Sequence, residues 1–211
     1  MAPVMYENHQ GSALVQCINL LDIADLAYDF LDDILYLPNI PSIAVPVLHL
    51  VPRTTWTIVE GIVGVDQEFH IDLARMPMMA RNDVGGTSTK NLLHWIQWIR
   101  EGKFQQYDYG KDGNEAQYGS KSPPEYAVDD FPTQLAGVPM MFFAGYNDYF
   151  AQDDDFNKVL SHMPSSTQVV RVEDYNHLDY MWAADANGYV NSLAVQFILG
   201  LEETKKPLFA Q

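Results

Sequence analysis

Asp148 and His177 follow two strand-like segments of the chain, and together they could form part of a hydrolytic site. An apolar segment at 138–144 is followed by a G-Y-N-D turn that ends at Asp148, and a second segment at 167–172 is followed by a polar turn that contains His177. An aspartate that orients a histidine and stabilises its charged form supplies two members of a serine-histidine-aspartate triad. His177 would then be the general base and acid, and Asp148 would orient it.

The elements that must position these two residues form a strand, helix, strand unit. Residues 152–162, between the two segments, can form the crossover helix of a parallel strand pair. Ligand chemistry in parallel sheets gathers in the turns that leave the carboxyl ends of the strands. We therefore expect Asp148 and His177 to lie close together at that edge.

Other acidic residues compete with Asp148 for the orienting role, namely Asp153, Asp154, Asp155 and Asp174. The run 153–155 lies where the crossover helix should begin, and negative charge is favourable at a helix N-terminus. A calcium loop would need ligands at alternating positions, which this run lacks. The sequence predicts neither a metal site nor a cofactor.

The nucleophile is missing from this chain. A nucleophile elbow needs glycines two residues before and after the serine, because its strained turn brings neighbouring backbones too close for side chains. Ser88 comes nearest, since Gly86 precedes it, but Lys90 occupies the second glycine position. Ser88 is better explained as a helix cap. Ser12 and Cys17 fall in a predicted helix, where Cys17 is expected to be a packed thiol. The oxyanion-hole segment is missing as well.

Several short motifs resemble the acid lipase family, which includes gastric lipase and lysosomal acid lipase and has the α/β-hydrolase fold. The two most specific are G-Y-N-D at 145–148 and Y-N-H-L-D at 175–179. Further motifs with the same resemblance are A-P-V at 2–4, G-T-S at 86–88, N-L-L-H-W at 91–95 and G-K-F-Q at 102–105. The resemblance implies a lipid ester hydrolase that acts on triacylglycerols or steryl esters and contacts a lipid interface.

The resemblance also implies a partial α/β-hydrolase fold, the C-terminal part of a parallel sheet with a mostly helical cap. Residues 1–9 would end a core strand, residues 10–122 would form the cap or lid, and residues 123–211 would carry the acid and the histidine. Because the chain supplies only two complete strand candidates, we expect it to be the C-terminal part of a longer lipase with the serine upstream. The alternative is an inactive pseudoenzyme, or a module that binds lipid or a related subunit.

Helical periodicity appears in three places. Residues 12–37 form the longest amphipathic segment, which is either a surface helix or a lid helix whose apolar face meets lipid. A helix should follow Ser88 and stop at Gly102; its Trp95 and Trp98 could contact a lipid substrate or pack in the core. Residues 185–200 predict a last helix that covers one face of the sheet.

Two further segments are predicted to be irregular. Four prolines between residues 38 and 56 make a long regular element improbable there, and residues 107–130 are polar and rich in turn residues.

The amino-acid composition argues against some classes of binding partner. The 211 residues are 47% hydrophobic and 19% charged, which is typical of a globular protein. The net charge of −16 argues against nucleic acid and anionic membrane surfaces as electrostatic partners. No run of about 18 apolar residues is present, so no transmembrane segment is predicted.

The sequence gives conflicting indications of the cellular compartment. The family resemblance suggests secretion or the lysosome. Cys17 is the only cysteine, which excludes an internal disulfide, and the chain has no N-x-S/T sequon. An intracellular location therefore remains an alternative.

Overall fold

The computed structural model describes residues 5, 12–20, 36–37, 50–66, 70–83 and 86–200. Its α-helices are α1 (Ala13–Leu20), α2 (Pro52–Val63), α3 (Met76–Asp83), α4 (Thr89–Glu101), α5 (Gly110–Tyr118), α6 (Phe131–Gln134), α7 (Asp153–Ser161), α8 (Asp179–Trp182) and α9 (Ser192–Ile198). The strands are β1 (Tyr36–Leu37), β2 (Thr87–Ser88), β3 (Met141–Gly145) and β4 (Gln168–Val172). A 3₁₀ turn covers Val128–Asp130, and a π-helical turn covers Asn187–Asn191.

The predicted strand, helix, strand unit is confirmed. β3 and β4 pair in parallel, with Met141 opposite Gln168 and Gly145 opposite Val172, and α7 crosses between them. β3 begins three residues later than the apolar run suggests. The chain is still turning at Val138, whose N–H donates to the Leu135 carbonyl.

The core beneath this pair combines both strands with the turns that follow them. Phe143 of β3 and Val172 of β4 are buried together with Tyr175, Tyr180 and Val190. The predicted helix at 185–200 is a π-helical turn followed by α9. Val190 is buried in the core and Leu193 and Ala194 pack against it, whereas Val195 and Ile198 are exposed.

The α2 helix corrects the expectation that the proline-rich segment would hold no long element. It runs for 12 residues and starts at Pro52. Proline fits the first helical position, where its missing N–H would have had no partner and its fixed φ is already helical. Trp56 and Val63 of α2 are buried. Residues 38–49 lie outside the described part of the chain.

The predicted amphipathic helix at 12–37 is confirmed only over α1. Tyr36 and Leu37 form β1, antiparallel to β2, so the helix prediction is wrong there. Residues 21–35 lie outside the described residues. Cys17 is exposed on α1, which corrects the expectation of a packed thiol.

The predicted strand end at residues 1–9 also lies outside the described residues, apart from Met5. The Met5 side chain packs against the cluster of Val159 and Met163.

The α4 helix begins and ends where its sequence signals predict. The Ser88 Oγ accepts a hydrogen bond from the Asn91 N–H at 3.1 Å, and Gly102 ends the helix in the left-handed conformation. α5 was not predicted. It forms in spite of its glycines because the Asn114 side chain is buried and bonds the Tyr109 N–H, the Asp108 carboxylate and the Lys121 carbonyl.

Candidate active site

Asp148 and His177 meet at the carboxyl edge of the two parallel strands. The His177 Nδ1 lies 3.1 Å from both carboxylate oxygens of Asp148. The Asp148 side chain is fully buried, whereas the His177 side chain is 34% exposed. An Nδ1–H bonded to the carboxylate leaves Nε2 as the nitrogen that can accept a proton.

The buried carboxylate of Asp148 has several donors besides His177. Its Oδ1 accepts from the N–H groups of Phe150 at 2.9 Å and Ala151 at 3.0 Å. Its Oδ2 accepts from the Tyr180 hydroxyl at 3.3 Å. A buried charge is tolerated only when it is paired and hydrogen-bonded, and these donors meet that requirement.

Backbone hydrogen bonds tie the two turns to each other and to α2. The last carbonyl of α2, at Val63, accepts from the N–H groups of both Tyr149 and His177, each at 3.2 Å. The Asn147 N–H donates to the Tyr175 carbonyl at 3.1 Å. The end of α2 therefore holds the acid turn and the histidine turn in one position.

Two glycines make this close approach possible. Gly64 has a φ of +117°, and a Cβ atom there would lie 1.7 Å from the Asn147 carbonyl oxygen. A Cβ at Gly145 would lie 2.1 Å from the Tyr175 carbonyl oxygen. No real side chain fits at such distances, so both positions require glycine.

An aromatic contact connects the dyad with α4. The Phe150 ring meets the His177 ring edge to face, with centroids 5.0 Å apart. Phe150 also meets Trp95 of α4, with ring centroids 5.5 Å apart. Trp98 donates its Nε1–H to the Gln105 carbonyl at 2.7 Å. Both tryptophans make packing contacts in the described residues, and their contact with substrate remains a prediction.

A second carboxyl group is buried beside the histidine turn. Burial raises the pKa of Asp179 from 3.8 to about 7; the Asn176 N–H lowers it and the carboxylate of Asp66 raises it. His70 bonds Asp185 at 3.0 Å close to this group. In the sequence, Asp179 belongs to the Y-N-H-L-D motif, and its spacing of three from Asn176 is the signal that could have identified it.

The candidate nucleophiles within the chain do not join the dyad. Ser88 is committed to its role as the α4 cap, Ser12 is buried, and Cys17 is exposed on α1. Among the described residues, no serine or cysteine makes a hydrogen bond to His177.

Asp153–Asp155 occupy the first turn of α7, as predicted, and Asp153 bonds Arg171 at 2.6 Å. Within the ranges that the structure describes, no three His, Cys, Asp or Glu side chains are grouped to hold a metal ion. The helices of the same ranges include none with the length and hydropathy needed to cross a membrane.

The order of the acid and the histidine along the chain has a counterpart in a known class of protein. An acid and then a histidine, in turns at the carboxyl ends of parallel strands, is the order found in α/β-hydrolases. The described part of the chain shows helices and a two-stranded parallel sheet.

Sequence comparisons connect the chain with lipases. It is 37% identical over 128 residues to lipase lipl-1 of Caenorhabditis elegans, which is 59% of this chain and 30% of that protein. It is 32% identical over 127 residues to gastric triacylglycerol lipase of Bos taurus, which is 60% of this chain and 30% of that protein. It is 25% identical over 193 residues to lysosomal acid lipase/cholesteryl ester hydrolase of Rattus norvegicus, which is 88% of this chain and 46% of that protein.

The chain is therefore a relative of the acid lipases, and this relationship implies an α/β-hydrolase fold. It spans less than half of the length of these curated relatives. No family model matches it.

Proposed function

We propose that this chain supplies the general base and the orienting acid of a lipid ester hydrolase of the triacylglycerol lipase or steryl ester hydrolase type. The observation that carries the proposal is the bond between His177 and the fully buried Asp148 at the carboxyl edge of the sheet. The names of the relatives support lipid esters as the substrate class.

In this mechanism, His177 Nε2 takes the proton of a serine hydroxyl as the serine oxygen attacks the ester carbonyl. Asp148 stabilises the imidazolium that forms. The imidazolium then gives its proton to the leaving alcohol as the carbon–oxygen bond of the ester breaks, which leaves an acyl-enzyme. Water, activated by the same histidine, releases the fatty acid.

We propose that residues outside this sequence provide the serine. No serine of the chain lies in a G-x-S-x-G pattern. In a longer protein of this kind, residues 10–122 would belong to a mostly helical cap, and Trp95 and Trp98 would be candidates for substrate contact. A secreted or lysosomal location follows the names of the gastric and lysosomal relatives.

A second candidate is an inactive pseudoenzyme that binds acyl chains or a related subunit. It is favoured by one observation: the described residues bring no nucleophile to His177. It predicts that a protein lengthened upstream also fails to hydrolyse esters, although the dyad itself is intact.

The test is hydrolysis of a medium-chain p-nitrophenyl ester by the 211-residue protein and by a protein lengthened with the upstream reading frame. We expect activity in the longer protein only, and its loss in His177→Ala. Asp148→Asn should lower kcat by about 10⁴-fold, as in other triads. Asp153→Asn, which changes a carboxylate that bonds Arg171 rather than His177, is the matched control. Inactivity of the longer protein would support the second candidate instead.

A further inference from the structure

The histidine turn is closed by a reciprocal pair of side chains on either side of His177. The Asn176 Oδ1 accepts from the N–H groups of Leu178 at 2.8 Å and Asp179 at 3.2 Å. In return, the Asp179 Oδ2 accepts from the Asn176 N–H at 2.6 Å. This is the pattern of a capping box, in which two residues three positions apart satisfy each other's backbone donors.

His177 lies inside this box, so the box constrains its backbone from both directions. Asn176 and Asp179 both have 0% exposure, which means that neither side chain can leave its position without opening the core. The His177 N–H is fixed separately by the Val63 carbonyl at 3.2 Å. The backbone is therefore held on both sides of His177 and at its own N–H group, in the position from which the imidazole bonds Asp148.

The surroundings of Asp179 make the charged form of its carboxyl group unfavourable. Its Oδ1 is buried and finds no hydrogen-bond partner among the described residues. The carboxylates of Asp66 and Asp185 act on it in the same direction as burial, towards the protonated form. The Asn176 N–H and His70 offset this only in part, so Asp179 is a costly cap for a helix of four residues.

We propose that Asn176 and Asp179 are positioning residues, which hold His177 in register with Asp148 through the backbone of the turn. The proposal rests on the proposed function, in which His177 is the catalytic base. A displacement of about 1 Å in a catalytic group is enough to cost about 10²-fold in rate. A purely stabilising cap would leave the bond between His177 and Asp148 unaffected in whatever protein remains folded.

The test is proton NMR of the unmodified 211-residue chain and its variants, with the downfield Nδ1–H resonance of His177 as the readout. That resonance reports the bond to Asp148 and needs no catalysis. We expect it to be lost in Asp179→Ala and in Asn176→Ala. It should be retained in Asp179→Asn and Asn176→Ser, because these keep an oxygen that can accept the backbone N–H groups.

Val190→Ala is the control for stability. Val190 is buried in the same core and takes part in none of the hydrogen bonds of the box. It should lower the unfolding temperature and keep the resonance. Retention of the resonance in both alanine variants, or its equal loss in Val190→Ala, overturns the proposal.

A second measurement needs no variant and can overturn the proposal even if the alanine variants do not fold. In the unmodified chain, the amide protons of Asn176, Leu178 and Asp179 should exchange as slowly as those of β4. Rapid exchange of these three amides would also overturn the proposal. An intact resonance together with absent ester hydrolysis in the lengthened protein would count against the proposed function only.

Discussion

Two regions of the molecule combine aromatic and polar side chains in different ways. In the turns that follow β3 and β4, aromatic residues contact the polar groups of the dyad. In residues 89–126, called the aromatic segment here, polar groups contact a cluster of aromatic rings. In the turns, the Phe150 ring packs on His177 and the Tyr180 hydroxyl donates to Asp148. In the aromatic segment, the Lys90 ammonium lies 4.3 Å from the centre of the Tyr109 ring. The Trp98 indole is held by the Gln105 carbonyl.

The two regions therefore differ in which interactions fix their side chains. In the turns, a buried carboxylate and a partly exposed histidine are held by several independent hydrogen bonds, which is the preorganisation that the proposed proton transfer requires. In the aromatic segment, rings pack on rings: Trp98 on Phe104 and Phe104 on Tyr126, with centroids 5.0 and 4.5 Å apart. Changes in the turns should therefore affect the dyad, and changes in the aromatic segment should affect mainly stability.

The largest effect should come from Gly64→Ala, at the junction of α2 with both turns. The positive φ alone costs on the order of 1–3 kcal/mol for a residue with a side chain. The overlap with the Asn147 carbonyl adds to it, so we expect a loss of more than about 3 kcal/mol in urea unfolding.

Gly61→Ala in the same helix is the control. A Cβ at Gly61 meets nothing within 4 Å. That change should therefore stabilise α2 by up to about 1 kcal/mol. Equal unfolding free energies for the two variants would show that α2 does not support the turns.

Asp179 should give the protein a pH-dependent stability. Its pKa of about 7 in the folded state exceeds its ordinary value of 3.8, because it is buried beside the charges of Asp66 and Asp185, with His70 acting in the opposite direction. Between these two values the folded state keeps a proton that the unfolded state releases. Stability should therefore fall as the pH rises from about 4 to about 7, and this contribution should level off above that.

The measurement is urea unfolding at pH 5 and pH 7, in the unmodified chain and in Asp179→Asn. The contribution of this group between those pH values is about 2 kcal/mol, since each pKa unit corresponds to roughly 1.4 kcal/mol. The variant should lose that much less stability over the same interval. Parallel pH profiles for the two proteins would be inconsistent with a raised pKa at Asp179.

In the aromatic segment, Trp98→Phe should lower stability by about 1 kcal/mol, the usual net value of one hydrogen bond. The loss stays small because His94 Nε2 also lies 2.8 Å from the Gln105 carbonyl. In the active lengthened protein, an unchanged KM for the ester would assign Trp98 to packing alone. A raised KM without a change in stability would identify Trp98 as a substrate contact instead.

The smallest effect should come from Ser88→Ala, which removes the side-chain cap of α4. We expect a loss of about 0.5 kcal/mol, at the lower end for such caps because the position is exposed. Thermal unfolding would measure it, with Ser88→Asp, another good cap, as the control. Loss of ester hydrolysis in Ser88→Ala at intact stability would make Ser88 the nucleophile and refute its role as a cap.

The sequence predicted those parts of the site that depend on local signals. Asp148 and His177 each follow a β-strand, and the geometry of a parallel pair brings such turns together. The Ser88 cap and the Gly102 stop are likewise encoded in one or two residues. The structure confirms the parallel pair and both ends of α4.

The remaining features depend on contacts between distant parts of the chain. The Val63 carbonyl that bonds both turns has no side-chain signal, because every residue carries a carbonyl group. α5 depends on the buried network around Asn114, which overrides the glycine content of that segment. The exposure of Cys17 is decided by which face of α1 docks on the core, and the amphipathic pattern did not give that answer.

The most direct test is labelling with a serine-directed fluorophosphonate, followed by mass spectrometry of the modified peptide. The dyad of His177 and Asp148 should activate a serine that lies outside these 211 residues. The 211-residue chain should therefore carry no adduct, and the lengthened protein should carry one on an added serine that disappears in His177→Ala. An adduct on a serine within the 211 residues, or labelling that is unchanged in His177→Ala, would contradict this assignment.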